Sequence, residues 1–472
     1  MTGDTGVSTG SLIGRRRSRR LVVALTTLAV LGAGLTATSP SPSSEATPGG
    51  GFTRIATLGA YENNSDPGAD AVAEISTVTP DGNTLVYTDA AGDQVGFVDI
   101  SDPSRPKPAG AVGVDGEPTS VYAVGAYLLV VVDSSDGNFA QPSGHISVLD
   151  ASSRTVVRTI ELNGQPDSID VRGRTAVIAI ENQRDEETTP PGGTKGDLPQ
   201  SPAGRLAVLD LTGDVTAWTP ETVSLTGLTK ITEPTDPEPE YVKISPDGTR
   251  VAVTLQENNA VAVVDLESLT VTNSFSAGTV DVAGVDTVED GVINPTGSLT
   301  DVPREPDSLG WIDNGRLATA NEGDWRGGSR GWTIFDSETG EVVWDAGNTF
   351  ENALIAAGLY PEDRSDAKGT EPEGLAVAEF GGRPYVFIGS ERGNVVAAYD
   401  VTDPTQPRLT QLLPSTKGPE GLLPIPDRNL LVVSSEVDDV KIGLRATVQV
   451  YAFGDQPMAY PMISSKNRPD GS

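Results

Sequence analysis

The sequence predicts an all-β fold, a seven-bladed β-propeller of four-stranded antiparallel blades. The first observation behind this prediction is a repeated unit, which residues 237–268 show most clearly. Within it, residues 241–244 alternate large and polar side chains, and Ser245-Pro246-Asp247-Gly248 has the composition of a turn. Residues 250–255 and 260–265 are apolar, β-branched runs. The unit therefore predicts one small antiparallel sheet.

The second observation is that variants of this unit recur seven times after the leader. Each copy continues from an inner apolar strand through a turn, a second strand, a polar loop and a third strand that ends near Asp or Tyr. The copies begin near Glu74, Glu117, Asp167, Glu240, Asp307, Glu373 and Glu420. Helical periodicity is almost absent outside the leader and a short segment at residues 350–359. Seven repeats with four strands each describe a propeller.

The last repeat lacks chain for its fourth strand, whereas residues 53–58 form an unassigned strand before the first repeat. We expect residues 53–58 to pair with residues 448–453 and close the ring, because this pairing removes an exposed sheet edge. The repeat spacing is uneven, and the additional segments are rich in Pro, Gly and charge, which predicts surface loops. These segments are residues 183–202, 212–235, 277–304 and 341–368.

The composition suits many short strands joined by turns, with 53 Gly and 35 Pro in 472 residues. Asp+Glu 66 against Lys+Arg 33 gives a formal net charge of -33, which repels phosphate backbones and anionic membranes. Nucleic acid is therefore excluded as a partner, and metal cations or basic partners are favoured. The chain has no cysteine and one histidine, His145, which excludes disulfides and thiolate chemistry and disfavours zinc.

The N-terminal segment has the order of a secretory leader. Arg15-Arg16-Arg17-Ser18-Arg19-Arg20 precedes an apolar run at residues 21–31, and small residues follow. This order predicts a signal peptide at residues 1–37, with the general secretory and twin-arginine routes both open. The run is short for a bilayer span, so we expect no stable membrane span after its removal. We therefore expect a secreted protein that is a monomer.

The remaining domain boundaries follow from composition. Residues 38–51, rich in Ser, Pro and Gly, predict a flexible linker. We expect the propeller to occupy residues 52–455, with residues 456–472 as a disordered tail or a truncated linker.

Carboxylates recur at two positions of every repeat. In a four-stranded antiparallel blade, the connection before the first strand and the connection between the second and third strands open on the same face. The first position holds Glu74, Glu117, Asp167, Glu240, Asp307, Glu373 and Glu420. The second position holds Asp89, Asp133, Glu181, Glu257, Glu322, Glu391 and Glu436. We expect two rings that converge on one central mouth, although each residue alone also fits a solvated turn or a strand cap.

So many like charges require raised pKa values, basic side chains or a bound cation. Arg392, Lys368, Lys417 and Arg304 stand close to mouth carboxylates in the sequence and are candidate counter-charges. Ligand sets made only of oxygen select hard ions, so Ca²⁺ is the first expectation and Mg²⁺ or Mn²⁺ the next. The candidate metal ligands are Glu240, Glu257, Asp307, Glu322, Glu373, Glu391, Glu420 and Glu436.

Several motifs resemble those of the choice-of-anchor I domain family. They include Glu238-Pro239-Glu240-Tyr241, Ala320-Asn321-Glu322-Gly323-Asp324 and Lys368-Gly369-Thr370-Glu371-Pro372-Glu373-Gly374. Gly418-Pro419-Glu420-Gly421 adds to them, and the resemblance spans residues 52–453. It implies an exported seven-bladed propeller related to lactonase-like, YVTN-type repeats, in a family whose members are often labelled alkaline phosphatase-like. Residues 458–472 resemble the start of a linker to a phytase-like esterase domain.

Two functions remain open from the sequence. In the first, a divalent cation in the mouth binds a small-molecule ligand such as a phosphate ester. An enzymatic version would use Glu373 or Glu391 as general base and Arg392 to stabilise the developing charge. In the second, the chain is a non-catalytic extracellular module that recognises a protein or a glycan.

Three further features have ordinary structural explanations. The G-x-S-x-G match at residues 327–331 precedes a predicted strand, whereas the hydrolase motif needs a strand-to-helix elbow. His145 is predicted to be structural or exposed. Trp325 follows Glu322 in a loop where it could stack on a ligand, but packing within its blade is the simpler expectation.

Overall fold

The computed structural model describes residues 50–455, and these form seven four-stranded sheets and one two-stranded sheet. All neighbouring strands within the sheets are antiparallel, and the predicted propeller is confirmed. The predicted signal peptide at residues 1–37, nearly all of the linker and the tail from residue 456 lie outside the described residues.

We number the blades 1 to 7 in chain order and give the strands of each from the channel outward. Blade 1 consists of Ser76–Val78, Thr84–Asp89, Gln94–Asp99 and Lys107–Gly113. Blade 2 consists of Glu117–Val124, Tyr127–Asp133, Gly144–Asp150 and Thr155–Glu161. Blade 3 consists of Pro166–Arg172, Thr175–Ile180, Arg205–Asp210 and Pro220–Ser224. Blade 4 consists of Pro239–Ile244, Arg250–Leu255, Ala260–Asp265 and Thr270–Ser276. Blade 5 consists of Leu309–Asp313, Arg316–Ala320, Trp332–Asp336 and Val342–Asp345. Blade 6 consists of Pro372–Phe380, Arg383–Ser390, Val395–Asp400 and Arg408–Pro414. Blade 7 consists of Pro419–Ile425, Leu430–Ser435, Thr447–Gly454 and Gly51–Gly59.

Helices are few in the part of the chain that the structure describes. The α-helix Thr349–Ala357 begins one residue before the segment predicted at residues 350–359 and otherwise falls inside it. Single 3₁₀ turns occur at Ala60–Asn63, Ala90–Gly92, Val215–Ala217, Glu362–Arg364, Pro426–Arg428 and Val440–Ile442.

The ring closes as predicted. The strand Gly51–Gly59 pairs antiparallel with Thr447–Gly454 and becomes the outer strand of blade 7. Phe52 lies opposite Phe453 in this pairing, is fully buried, and has its ring centroid 5.0 Å from that of Phe380 and 5.2 Å from that of Phe387. Edge-to-face aromatic contacts of this kind join the first described strand to blade 6 as well as blade 7.

Each interface between neighbouring blades has its own hydrophobic core. Seven clusters of buried residues occur, and each draws its residues from two adjacent blades. The middle strands of a blade face a core on both sides, which explains why runs such as Leu128–Val132 are apolar throughout instead of alternating. The inner strands contact their neighbours around the whole ring, so the carboxylates at their ends meet around one axis.

The segments predicted as surface loops contain more structure than expected. Residues 212–235 include Pro220–Ser224, the outer strand of blade 3, and residues 341–368 include Val342–Asp345, the outer strand of blade 5, and the α-helix. Residues 277–304 form a separate hairpin of Thr279–Val285 and Gly297–Pro303. These strands are largely exposed and therefore lack the apolar pattern that identifies a blade strand in a sequence.

Candidate metal centre in the channel mouth

A local irregularity of the inner strands places one side chain of each blade at the mouth. In five blades the pairing of the first two strands skips after a proline, as between Pro166 and Ile169 or between Pro372 and Leu375. The residue that follows this proline is Thr119 in blade 2 and Asp167, Glu240, Glu373 or Glu420 in the other four. A bulge re-aims the side chain that it contains, and here the four carboxylates line the axial cavity.

The axial cavity has a volume of about 120 Å³ and is lined mainly by acidic residues. Six carboxylates of the predicted first ring line it: Glu74, Asp167, Glu240, Asp307, Glu373 and Glu420. Glu181 and Glu436 of the predicted second ring join them. The sequence prediction of a shared acidic mouth therefore agrees with the observed arrangement in most blades.

Blade 2 is different from the prediction. The residue that lines the cavity there is Thr119, since Glu117-Pro118-Thr119 corresponds to Gln165-Pro166-Asp167 in blade 3. Glu117 lies two positions earlier and pairs with Asp133 across the first two strands. The prediction for Glu117 was wrong because it followed the nearest carboxylate instead of the residue after the proline.

Two members of the predicted second ring serve local structure. The Asp89 carboxylate accepts hydrogen bonds from the Val72 N–H at 2.9 Å and from the Gln94 side chain at 2.8 Å. The Asp133 carboxylate accepts from the Ser135 N–H at 2.8 Å. Both carboxylates therefore cap strand ends, which is the alternative that the sequence allowed for each residue alone.

The residue after the ring carboxylate must allow the next blade to approach. A Cβ atom on Gly374 would lie 2.1 Å from the carbonyl oxygen of Glu420, and a Cβ atom on Gly421 would lie 1.9 Å from that of Glu74. In blade 3 the corresponding Ser168 hydroxyl donates a hydrogen bond to the Glu240 carbonyl at 2.5 Å. The backbones of Glu74, Glu240 and Glu420 are thus in close contact with the preceding blade.

We expect the substitution Gly421→Ala to lower the free energy of unfolding by roughly 1–3 kcal/mol, because its Cβ requires a backbone shift at Glu74. Urea unfolding measures this change. Gly113→Ala is the matched control, since the nearest atom to its Cβ is 3.8 Å away, and it should be neutral. Equal stability of the two variants would show that the close approach at Glu74 is not required.

Among residues 50–455, three groups of carboxylates lie close enough to hold an ion. Within each group the ligand oxygens are all within 4.8 Å of one another. The groups are Asp307, Glu322 and Glu373; Glu74, Glu420 and Glu436; and Glu322, Glu371 and Glu391. The first two consist of predicted ring residues, whereas Glu371 was not predicted as a ligand.

Burial and mutual repulsion raise the pKa values of this cluster. Burial raises the pKa of Glu373 well above its usual range, and the carboxylates of Glu391, Glu322, Glu420 and Asp307 raise it further. Burial likewise raises the pKa of Glu391, with Glu436 adding to the shift. A cation in the mouth would take the place of protons held by these groups.

Arginine side chains neutralise one side of the mouth. Arg392 Nη1 lies 2.6 Å from Glu391 Oε1, and Arg392 Nε lies 2.9 Å from Glu371 Oε2. Arg364 Nη2 is 2.5 Å from Glu371 Oε1. The predicted role of Arg392 as a counter-charge is consistent with this geometry.

The other predicted counter-charges differ in position. Lys417 acts against the upward shift of the Glu436 pKa, which is caused mainly by burial. Lys368 donates to the Gly323 carbonyl and lies 3.8 Å from Asp324. Arg304 is not at the mouth, since it pairs with Asp345 at 2.9 Å beside the outer strand of blade 5. The prediction for Arg304 was wrong because proximity in sequence did not become proximity in space.

Arg184 is a counter-charge that the sequence reasoning missed. It belongs to the segment at residues 183–202 but is only 4% exposed. Its guanidinium lies 2.7 Å from Glu257, 2.6 Å from Asp324 and 3.7 Å from Glu238. The available signal was its position three residues after Glu181, comparable with that of Arg392 directly after Glu391.

The remaining sequence candidates have structural roles. His145 Nε2 lies 3.2 Å from both the Val114 carbonyl oxygen and the Ser147 hydroxyl. Ser329 of the G-x-S-x-G match is buried and accepts a hydrogen bond from Asn321. The Trp325 ring stacks under the Arg326 guanidinium at 3.7 Å.

Residues 50–455 contain no helix with the length and apolar character needed to cross a bilayer.

Solved structures with a similar fold have little sequence similarity to this chain. Hydrazine synthase from Kuenenia stuttgartiensis matches 80% of this chain and 96% of its own, with a TM-score of 0.50 and 18% identity. The Cps50 (Swd1) β-propeller domain from Myceliophteria thermophila matches 85% of this chain and 99% of its own, with a TM-score of 0.50 and 10% identity. At these identities the likeness shows the propeller fold alone.

Two sequence comparisons are more specific. Gigasin-3a from Magallana gigas is 30% identical over 132 residues, which are 24% of this chain and 46% of that protein, so the match spans about half the length of this relative. The family model of the choice-of-anchor I domain matches residues 74–327 and 326–404. Domains of this kind are typically extracellular or at the cell surface. Because the match covers well over half of the chain, the protein belongs to the choice-of-anchor I domain family.

Proposed function

We propose that this protein is an exported β-propeller that binds a divalent cation in its acidic mouth, with Asp307, Glu322 and Glu373 as ligands. The observation that carries the proposal is the meeting of these carboxylates from blades 5 and 6 within 4.8 Å. A second observation supports it, since Glu373 Oε2 is buried and has no hydrogen-bond partner among residues 50–455. Such an oxygen is costly to leave in place without a cation or a proton.

The choice among the three carboxylate groups rests on their counter-charges. In the group of Glu322, Glu371 and Glu391, two guanidinium groups already lie within 3 Å of the carboxylates. The pKa of Glu373, in contrast, is raised by burial and by four other carboxylates. The group of Glu74, Glu420 and Glu436 is the second candidate for an ion.

The other predicted ligands fit less well. Glu240 lines the cavity but is not part of the three groups. Glu257 is held by Arg184 at 2.7 Å and is also outside the three groups. The ligand set that we propose is thus narrower than the eight residues that the sequence suggested.

The identity of the cation follows from the ligands and the space. Carboxylate oxygens prefer Ca²⁺, and then Mg²⁺ or Mn²⁺. A cavity of about 120 Å³ has room for an ion with some of its water. The bulk of an organic ligand would have to remain outside this cavity, over the opening.

The test is thermal unfolding of the purified protein in EDTA and in added Ca²⁺, Mg²⁺ or Mn²⁺. An ion at about 100 times its Kd, bound only by the folded state, should stabilise the protein by roughly 2.7 kcal/mol and raise the Tm by a few degrees. Glu373→Gln should remove this rise. Glu267→Gln, which changes an exposed carboxylate on a blade 4 turn, is the control and should retain it.

Two results would contradict the proposal. One is an unchanged Tm in all three ions, together with no metal found by elemental analysis. The other is an ion-dependent rise that Glu373→Gln and Asp307→Asn leave intact but Glu420→Gln removes, which would place the ion at Glu74, Glu420 and Glu436.

Hydrolysis of a phosphate ester is a second candidate function. It is favoured by Arg392, whose side chain is 27% exposed beside the mouth and lies 2.6 Å from Glu391. A guanidinium in this position can bind a phosphoryl group, and a carboxylate with a raised pKa can act as general base. Turnover of p-nitrophenyl phosphate with each ion tests this role, and Glu391→Gln should abolish turnover without unfolding. Cation binding without turnover would favour a non-catalytic module that recognises an extracellular protein or glycan.

A further inference from the structure

The axial channel contains a second and much larger cavity beyond the acidic mouth. Its volume is about 860 Å³, which lies within the range typical of small-molecule sites, roughly 300–1,000 Å³. Ile75, Ser168 and Tyr241 line both cavities, so the two spaces adjoin at these residues. We call the larger space the wide chamber.

The walls of the wide chamber are mostly apolar. Blades 5 to 7 line it with aliphatic and aromatic residues, including Leu309, Trp311, Leu375, Val377, Leu422 and Leu423. Of these, Val377, Leu422 and Leu423 are only partly buried. The Trp311 indole donates a hydrogen bond to the Lys243 carbonyl at 2.8 Å, which fixes this ring in the wall. A wall of this composition suits a ligand whose body is apolar.

The charged residues of blades 3 and 4 form one polar corner. Asp170, Arg172 and Lys243 line it, and Lys243 Nζ lies 3.5 Å from Asp170 Oδ1 and 5.1 Å from the Tyr241 ring centroid. Asp170 also accepts a hydrogen bond from the Ile244 N–H at 2.8 Å, so its position is set by the next blade. Two cationic side chains and one carboxylate give this corner a positive balance, opposite in sign to the mouth.

One further charged residue lines the chamber. Glu379 belongs to the inner strand of blade 6 and is exposed, on a different side from the polar corner. Its carboxylate at the exposed end does not change the sign of the corner formed by Arg172 and Lys243.

We propose that the wide chamber binds a small, mostly apolar organic anion, with its carboxylate or sulfonate paired with Lys243 and Arg172 and its body against the apolar wall of blades 5 to 7. The ligand and the divalent cation occupy different spaces, so neither site depends on the other. This inference does not rest on the proposed cation site.

The probe that tests it is 8-anilinonaphthalene-1-sulfonate, which combines an aromatic body with one anionic group. Fluorescence titration of the folded protein in EDTA should show saturable binding with one site per chain. N-phenyl-1-naphthylamine is the uncharged counterpart and should bind about tenfold more weakly or worse. Equal affinity for the two compounds would overturn the role of the anion.

Variants locate the probe. Lys243→Gln and Arg172→Gln should each weaken sulfonate binding by about tenfold, which is the range of a lost charged hydrogen bond. Lys195→Gln changes an exposed lysine that does not line the chamber and should not alter probe binding. Glu373→Gln should also leave probe binding unchanged, which separates this site from the cation site. Absence of one-site binding, or wild-type affinity in both the Lys243 and Arg172 variants at unchanged Tm, would overturn the proposal.

Discussion

Replacing Arg184 by alanine should lower the free energy of unfolding by roughly 3–5 kcal/mol, the usual cost of removing one partner from a buried ion pair. Arg184 is 4% exposed and contacts the half-exposed Glu186 and three less exposed carboxylates, from Glu238, Glu257 and Asp324. Without the guanidinium, these carboxylates must take up protons or admit water, because burial alone already raises the pKa of Glu238. Urea unfolding with and without the substitution measures the loss.

A surface ion pair provides the matched control. Lys195 Nζ lies 2.6 Å from Glu187 Oε2, as short as the contacts of Arg184, but the two side chains are 58% and 80% exposed. Lys195→Ala should therefore cost less than about 1 kcal/mol. The double variant Arg184→Met with Glu257→Gln should recover part of the loss, because it removes both charges. A cost for Arg184→Ala as small as that for Lys195→Ala would mean that water reaches this cluster freely.

Glu351→Gln should reduce the loss in the free energy of unfolding that occurs as the pH rises from 5 to 8. Burial raises the pKa of Glu351 to about 7, although the nearby Arg330 guanidinium opposes the shift. The folded protein thus retains a proton that the unfolded chain releases above about pH 4.5, so this residue reduces stability as the pH rises. Between pH 5 and 8 the wild-type protein should lose about 2–3 kcal/mol through this group alone.

The difference between the two proteins isolates this contribution. Urea unfolding at pH 5, 6, 7 and 8 measures the free energy of unfolding of each protein. The values for Glu351→Gln and the wild type should be nearly equal at pH 5, and the variant should become increasingly more stable than the wild type up to pH 8. Glu267→Gln should give no such trend, since Glu267 is exposed. A constant difference across this range would show that Glu351 is already ionised at pH 5, held by Arg330 at 3.5 Å.

The sequence predicted the blades well because their middle strands are buried on both faces. Runs such as Arg250–Leu255 and Ala260–Asp265 combine apolar residues with clear turns, and this local pattern determines their structure. The outer strands were harder, as Pro220–Ser224 shows, because an exposed strand needs no apolar pattern. Its place is set by pairing with Arg205–Asp210, which a local reading does not reveal.

The residues of the mouth could be predicted where a carboxylate occupies the repeat position that lines the cavity. Asp307, Glu373 and Glu420 follow a proline at the same point of the repeat, and all three line the cavity. Thr119 shows the limit, since its blade preserves the bulge without the carboxylate. Arg184 could not be placed from sequence because its partners Glu257 and Asp324 are 73 and 140 residues away along the chain.

The pairing of Gly51–Gly59 with Thr447–Gly454 also has a consequence for the time course of folding. The two strands are joined by nearly the whole domain, so their pairing carries the largest loop-closure cost in the sheet system and belongs among the slow, non-local steps. While the chain is being made, the first of these strands is synthesised long before its partner. Until then, the Thr53–Leu58 stretch has an unsatisfied backbone edge that any chaperone or neighbouring chain can pair with. Pairing with Thr447–Gly454 is therefore the step that removes this exposed edge.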